Sequence, residues 1–206
     1  MHPELLPAIS SQEYPAIRAM FEARKRVFVD LLKWDVPVLA GRYEIDQFDT
    51  EEAEYLVLVD EEGAHRASAR LLPTDGPHIL ADLYPFLCQS HLPKGPRTRE
   101  ITRFCLEPSL RAPDRRRARN QLVTALVEHA LRAGISDFTG VATVSWFRQI
   151  EGFGWDCRAL GEPVEIGGSS LVGLHIRIDA ETPVALSRTG INSLLTCRLP
   201  IPGGMQ

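Results

Sequence analysis

Six apolar residues, Leu122, Val123, Leu126, Val127, Ala130 and Leu131, fall on one helical face and form the strongest structural signal in the chain. They predict an amphipathic helix, with Gly134 as its C-cap. A helix with so wide an apolar stripe has to lie on another apolar layer. Strand-like segments supply that layer: YLVLVD at 55–60, HRASARLL at 65–72, EITRFCLE at 100–107, FTGVATV at 138–144 and SLVGLHIRI at 170–178. The first two flank a Glu-Glu-Gly turn and read as a β-hairpin. SWFRQIEGFGW reads as a short helix ending at Gly152 or Gly154. Strands and helices interleave without any internal repeat, so the expected class is α/β (α+β), a mixed sheet flanked by helices.

Near the N-terminus, Ser10 with Glu13 reads as a capping box ahead of a helix whose first turn Pro15 disturbs. Ile17, Met20, Phe21, Phe28 and Leu31 then share one helical face, and Arg24 falls on the same face. A guanidinium among apolar neighbours needs a buried partner, a ligand or an escape to the rim, because burying an unpaired charge is costly. Residues 34–50, WDVPVLAGRYEIDQFDT, have no clean period and read as a long functional loop. The Pro- and Gly-rich stretch 73–98 contains one short apolar piece, ILADLYPFL, expected as a helix or turn over a cleft.

A chain of 206 residues accommodates one core. Its net charge of -4 gives no whole-molecule attraction to nucleic acid, so basic chemistry has to be local. Cys88, Cys105, Cys157 and Cys197 are scattered and form no C-x-x-C pair, which argues against metal or disulfide frameworks. The six histidines lack ligand spacing, no serine sits in G-x-S-x-G, and no glycines form a dinucleotide fingerprint. No signal-peptide pattern or run of about eighteen apolar residues occurs, so the expected location is cytoplasmic, with no membrane span.

The chemistry-bearing constellation is Arg24, Trp34, Asp46, Asp49, Arg70, Glu100 and Arg103: three cations, three anions and one aromatic. Taken singly, the aspartates also suit turns and Trp34 also suits a core. Taken in order, with Phe28 after Arg24, Asp46 and Asp49 in E-I-D-Q-F-D, Arg70 in A-R-L-L-P-T, and Glu100 and Arg103 in E-I-T-R-F, the string resembles the acyl-homoserine lactone synthases of bacterial quorum sensing. The resemblance runs from about Tyr14 to about Asp179. It implies a single synthase domain over residues 1–179, with 180–206 an extension of unassigned role.

The resemblance also implies a fold similar to the GNAT N-acyltransferases, with a twisted sheet split by a V-shaped cleft. The implied substrates are S-adenosyl-L-methionine, used as co-substrate with no tightly bound cofactor, and an acyl thioester carried on acyl carrier protein or coenzyme A. Products are the lactone, 5'-methylthioadenosine and the free carrier. An α-amine is largely protonated at neutral pH. A base therefore has to free its lone pair, and Glu100 is assigned that role, directly or through one water. Arg103 with backbone N–H groups is the candidate donor to the oxyanion. Asp46 and Asp49 suit the cationic co-substrate. Arg24 and Arg70 either hold its carboxylate or lock Asp46, Asp49 and Glu100 by ion pairs. Phe28 and Trp34 suit the adenosyl group, with Trp34 also a cation–π partner for the sulfonium.

An odd spacing puts Glu100 and Arg103 on opposite faces of a regular strand. Both serve one site only where the strand bulges. Thr143, Trp146 and Phe104 are the candidate acyl-pocket residues, Thr143 matching a family position beside the acyl chain. Arg111, Arg115, Arg116, Arg117 and Arg119 precede the amphipathic helix and read as a loop and helix start that docks an acidic carrier or coenzyme A phosphate. The R-x-x-G-x-G/A phosphate cradle of the GNAT acetyltransferases is missing there. Two other readings are a different GNAT-like acyltransferase, which would not call for the E-x-D-x-x-D loop preceded by Arg and Trp and whose cradle glycines are missing, and a catalytically silent carrier-binding protein, which has no use for a base.

Overall fold

The computed structural model describes residues 13–89 and 91–192. The proposed Ser10 cap and Cys197 lie outside them. The first helix, α1 (Glu13–Arg24), runs directly into a π-helical segment, Lys25–Leu31. The wider turn is visible in Leu32 N–H donating to Val27 O, five residues back. This change of pitch rotates the helix surface, so the expected apolar face breaks: Phe28 stays buried, but Leu31 is 59 % exposed. A small hairpin follows, β1 (Val38–Leu39) with β2 (Tyr43–Glu44). The loop expected over 34–50 thus contains a two-stranded ribbon too short to show a period.

The predicted hairpin forms as β3 (Glu54–Val59) and β4 (His65–Pro73). The apolar piece after it yields α2 (Ile79–Asp82) and a 3-10 turn, Pro85–Leu87. Then come β5 (Thr98–Leu106), α3 (Ala112–Ala133), β6 (Asp137–Thr143) and α4 (Val144–Glu151). The chain closes with β7 (Asp156–Ala159), β8 (Val164–Ile166), β9 (Ser169–Arg177) and α5 (Thr182–Arg188). Gly134 caps α3 at φ +70, a conformation that favours glycine. The helix begins earlier than expected, at Ala112, so Arg115, Arg116, Arg117 and Arg119 lie within its first turns rather than ahead of it. Pro113 in the first turn fits that start, since a helix there has no N–H to lose. The short β7 and β8 carry no alternation and escape a periodicity search.

The large sheet has the order β3-β4-β5-β6-β9-β7, with β8 also paired to β9. All pairings are antiparallel except β5 with β6. On one face lie α3, α4 and α5, which enclose the main core. Leu122, Leu126 and Phe138 are fully buried there, and Leu186 and Ile191 extend that core into the C-terminal stretch. The opposite face carries α1 over β3, β4 and β5, and α2 over β5 and β6. Among the described residues no helix is long and apolar enough to cross a membrane.

The parallel pair is what opens the sheet. Only Thr98, Arg99 and Glu100 pair with Asp137, Phe138 and Thr139, and beyond them the two strands part. At the apex Gly140 allows the close approach: a Cβ there would lie 3.0 Å from the Ile101 carbonyl oxygen. Because that neighbour is backbone, Gly140→Val forces the strands apart. We expect it to lower the unfolding free energy by about 1–3 kcal/mol, measured by urea titration. An unchanged midpoint would show that the apex has room to spare.

Candidate active site

Arg24 is the last residue of α1 and points at the sheet, with no exposed surface. Its Nη1 and Nη2 donate to the two carboxylate oxygens of Asp49 at 2.7 and 2.8 Å, while Nε donates to Glu44. Arg70, in the middle of β4, donates from Nη1 and Nη2 to Asp46 at 2.7 and 3.1 Å. Its Nη1 also lies 2.7 Å from Asp49 Oδ1, and its Nε donates to the Thr102 hydroxyl at 2.9 Å. Arg103 completes the set, donating from Nη2 to Glu44 at 3.0 Å and to Asp46 at 2.6 Å. Three guanidinium groups and three carboxylates thus form one buried, neutral cluster. Neutrality is what makes such burial tolerable, since each ion gives up its hydration.

The aspartates also fix their own loop. Asp46 accepts from Phe48 N–H at 2.9 Å, and Asp49 accepts from Asp46 N–H at 2.8 Å and from the Tyr55 hydroxyl at 2.8 Å. Burial disfavours the Asp49 anion, but the Arg24 contacts and the charge of Arg70 prevail and hold its carboxyl well below the usual range. Burial beside Asp49 also pushes the Tyr55 hydroxyl upward, so it remains a donor.

The parity conflict between Glu100 and Arg103 is resolved by a bulge. Arg70 pairs with Thr102 but Ser68 pairs with Cys105, so Arg103 and Phe104 together face Ala69. Arg103 sits at φ +50, a conformation strained for an L side chain. The bulge inverts the alternation. Glu100 and Arg103 share the α1–α2 face, while Phe104 turns to the α3 core.

Glu100 differs from the other acids of this face. It forms no ion pair among the described residues, and it has no exposed surface. Its two oxygens accept Ile79 N–H at 2.7 Å and Leu80 N–H at 2.9 Å, at the start of α2. Burial pushes its pKa up to about 7, with Asp82 adding slightly, while the two N–H donors and Arg70 pull the other way. A carboxyl poised near neutrality is suited to take and release a proton.

The structure brings Arg24, Phe28, Asp46, Asp49, Arg70, Glu100 and Arg103 to one face. Trp34 stands at its rim, 45 % exposed and stacked on Phe28 at 4.8 Å. The Arg103 guanidinium lies 5.4 Å from the Phe28 ring and 5.7 Å from Trp34. Of the two tasks open to Arg24 and Arg70, the ion pairs with Asp46 and Asp49 are present, whereas Glu100 is held by backbone. The three acyl-pocket candidates lie elsewhere. Phe104 and Trp146 pack together at 5.4 Å against the α3 side, and Thr143 is exposed at the end of β6, its hydroxyl accepting Trp146 N–H as the cap of α4. Arg111, just before α3, and Arg116 and Arg117 on it are exposed, Arg115 donates to the Glu107 carbonyl, and Arg119 packs over Phe153.

Sequence reasoning gave no role to Glu44, Tyr55 or Thr102. Glu44 stood in the quoted E-I-D string, and its spacing two residues before Asp46 was the available signal. Tyr55 and Thr102 sat in strand patterns that their packing alone explains.

Burial separates the folded and unfolded Glu100 carboxyl, which titrates near 4.3 when unfolded. A raised folded pKa stabilises below the unfolded value and is lost as pH rises through the folded one. The unfolding free energy of wild type relative to Glu100→Gln is therefore expected to fall as pH rises from about 4.5 to about 7. Using the difference removes the opposing contribution of His65, which burial lowers to about 4. A pH-independent difference in chemical denaturation would contradict the raised value.

Comparison with known proteins places the chain in a family and a fold. The autoinducer synthase family profile matches residues 9–186. An acyl-homoserine-lactone synthase of Rhizobium etli is 35% identical over 202 residues, covering 93% of both chains. Among solved structures, TofI in a ternary complex with an inhibitor and MTA has a TM-score of 0.70 and 30% identity, covering 91% of this chain and 94% of that one. MesI, a CoA-dependent acyl-homoserine lactone synthase, has a TM-score of 0.73 and 27% identity, covering 84% and 85%. The fold alone extends to a putative N-acetyltransferase from Lactobacillus plantarum, at a TM-score of 0.55 and 21% identity over 80% of this chain and 93% of that one.

Proposed function

This chain belongs to the autoinducer synthase family, and we propose that Glu100 is the base of its acyl transfer and that the six-charge cluster shapes the site for S-adenosyl-L-methionine. The enzyme is an acyl-homoserine lactone synthase, an acyltransferase making a quorum-sensing signal. The observation that carries the assignment is Glu100: a fully buried carboxyl near neutral pKa, outside the ion-pair cluster, at the apex of the parted strands.

In this reading the co-substrate carries a net charge of +1, from its ammonium, sulfonium and carboxylate. The cluster is neutral, and Glu100 is the carboxyl outside it that is left to take a proton. Glu100 takes a proton from the ammonium, and the freed lone pair attacks the thioester carbonyl. Arg103 is the member of the cluster whose side chain reaches the surface most, 9% exposed, and Nη1, which has no hydrogen-bond partner among the described residues, is the guanidinium nitrogen it leaves for the oxyanion. The C–N bond forms, the C–S bond breaks, and the thiol departs. The methionine carboxylate then attacks the γ-carbon, and the sulfonium leaves as neutral 5'-methylthioadenosine.

Asp46 and Asp49 act on the cation mainly through the loop and charge balance they set with Arg24 and Arg70. Phe28 and Trp34 offer aromatic faces to the adenosyl and sulfonium groups. The parted strands lead the acyl chain toward Phe104, Trp146 and Thr143. Acyl carrier protein or coenzyme A docks on the arginines of α3, whose side chains replace the missing glycine cradle. Both substrates are products of cytoplasmic metabolism, which fits a cytoplasmic enzyme.

Glu100→Gln is expected to retain S-adenosylmethionine binding and to lower turnover by roughly two orders of magnitude or more. Wild-type turnover would remove Glu100 as base. Charge reversal at Arg115, Arg116 and Arg117 is expected to raise the apparent KM for the acyl donor and flatten its salt dependence. Unchanged values of both would end the docking assignment. Mass spectrometry of organic extracts from expressing cells tests the whole reading, since a lactone peak identifies product and acyl group together.

A further inference from the structure

Beside Glu100 stands a second buried polar group. Thr139 on β6 is the in-register partner of Glu100 across the parallel pairing, so the two side chains leave the sheet on the same face. Both have no exposed surface. The Thr139 Oγ1 has no hydrogen-bond partner among the described residues. Leaving a buried hydroxyl unpartnered is costly, because it gives up its hydration for nothing.

Its neighbours do not relieve that cost. His175, its partner on β9, is engaged at both ring nitrogens, with Asp137 Oδ1 at 2.7 Å and Arg158 Nε at 3.2 Å. On the other side each Glu100 oxygen accepts one backbone N–H, and each keeps a further lone pair. The strands part immediately beyond this pair of residues. The hydroxyl therefore sits at the closed end of the cleft, one strand spacing from the base.

We propose that Thr139 is a positioning residue for the acyl transfer: its hydroxyl and the Glu100 carboxyl together hold the water through which the ammonium proton leaves. This rests on Glu100 being the base. A hydroxyl both donates and accepts, so Thr139 supports the water whichever way its protons point. It donates toward the water while Glu100 is ionised and accepts from it once the proton has arrived. The ammonium loses one proton to Glu100, and the attacking nitrogen loses a second to the departing thiolate. Glu100 returns its proton to solvent when the product leaves.

The charged and titratable groups that face this corner are Arg70 from β4, Asp82 from α2 and Cys88 beyond it, with His175, Asp137 and Arg158 on the far side of Thr139. All are retained in a Thr139 variant. The test is steady-state kinetics of the full chain with S-adenosylmethionine and an acyl thioester across pH. Thr139→Val is expected to lower kcat about tenfold or more while leaving KM for S-adenosylmethionine within about twofold. Losing the donor disfavours the ionised base, so the acidic limb of kcat/KM is expected to move to higher pH. Thr139→Ser is expected to restore both. Thr139→Ala is read in the same way if the valine variant does not fold.

Wild-type kcat and pH profile in the valine variant would overturn the proposal, as would a serine variant as impaired as valine. Glu100→Gln measured alongside separates the two levels. If it keeps turnover, the base assignment fails and the relay with it; if it is inactive while Thr139→Val is normal, only the relay fails.

Discussion

Three guanidinium groups are buried between α1 and the sheet, and the structure of the site follows from the need to neutralise them. Arg24, Arg70 and Arg103 come from a helix and two strands far apart in sequence. Their partners Glu44, Asp46 and Asp49 all come from one short segment. Removing any one acid leaves a buried cation uncompensated, a loss of roughly 3–5 kcal/mol. The segment therefore has no freedom to leave the sheet, and the helix is tied to it. The same pairing explains the backbone strain at Arg103, since only a bulged β5 brings that side chain to the face where its partners lie.

A second constraint is the parting of β5 and β6. Three residue pairs join the strands, and then the sheet opens. Glu100 stands at the last pair, walled by α2 and the strands, and it has backbone donors in place of an arginine. Its carboxyl is thereby left free to titrate near neutrality, while Arg24 and Arg70 hold Asp49 ionised well below the usual carboxylate range. Rigidity and reactivity are divided between residues of one face of the sheet. The fold achieves this by pairing some acids with arginine and burying another without one.

Much of this was legible in the sequence. The stripe on α3, except for Leu131, which is 40 % exposed, the Gly134 cap and the hairpin β3–β4 follow from periodicity and turn chemistry, because packing reinforces the local preference there. Arg24 on an apolar face called for a buried partner, a ligand or an escape to the rim, and the structure supplies buried partners. The odd spacing of Glu100 and Arg103 required a bulge, and one is present. The identity of the partners was not legible, since Glu44 reaches Arg24 and Arg103 only through a two-stranded ribbon too short to carry a pattern. Leu31 was misplaced because a π-helical turn rotates the helix surface. The arginine run read as a loop and helix start ahead of the amphipathic helix because its charge hides where the helix begins, a start that Pro113 in fact permits. Thr139 looked like any β-branched strand residue; its unpartnered hydroxyl exists only in three dimensions.

The central claim is that the cleft keeps one carboxyl near neutrality beside an ion-pair cluster whose Asp49 is held ionised. Carbon-13 NMR of side-chain carboxyls, titrated from acid to neutral pH with Glu100→Gln and Asp49→Asn for assignment, reads both halves at once. The account predicts a Glu100 midpoint near 7 and an Asp49 signal that stays ionised throughout. A Glu100 midpoint at the ordinary value of about 4.3, or an Asp49 that gains a proton near neutrality, would contradict it.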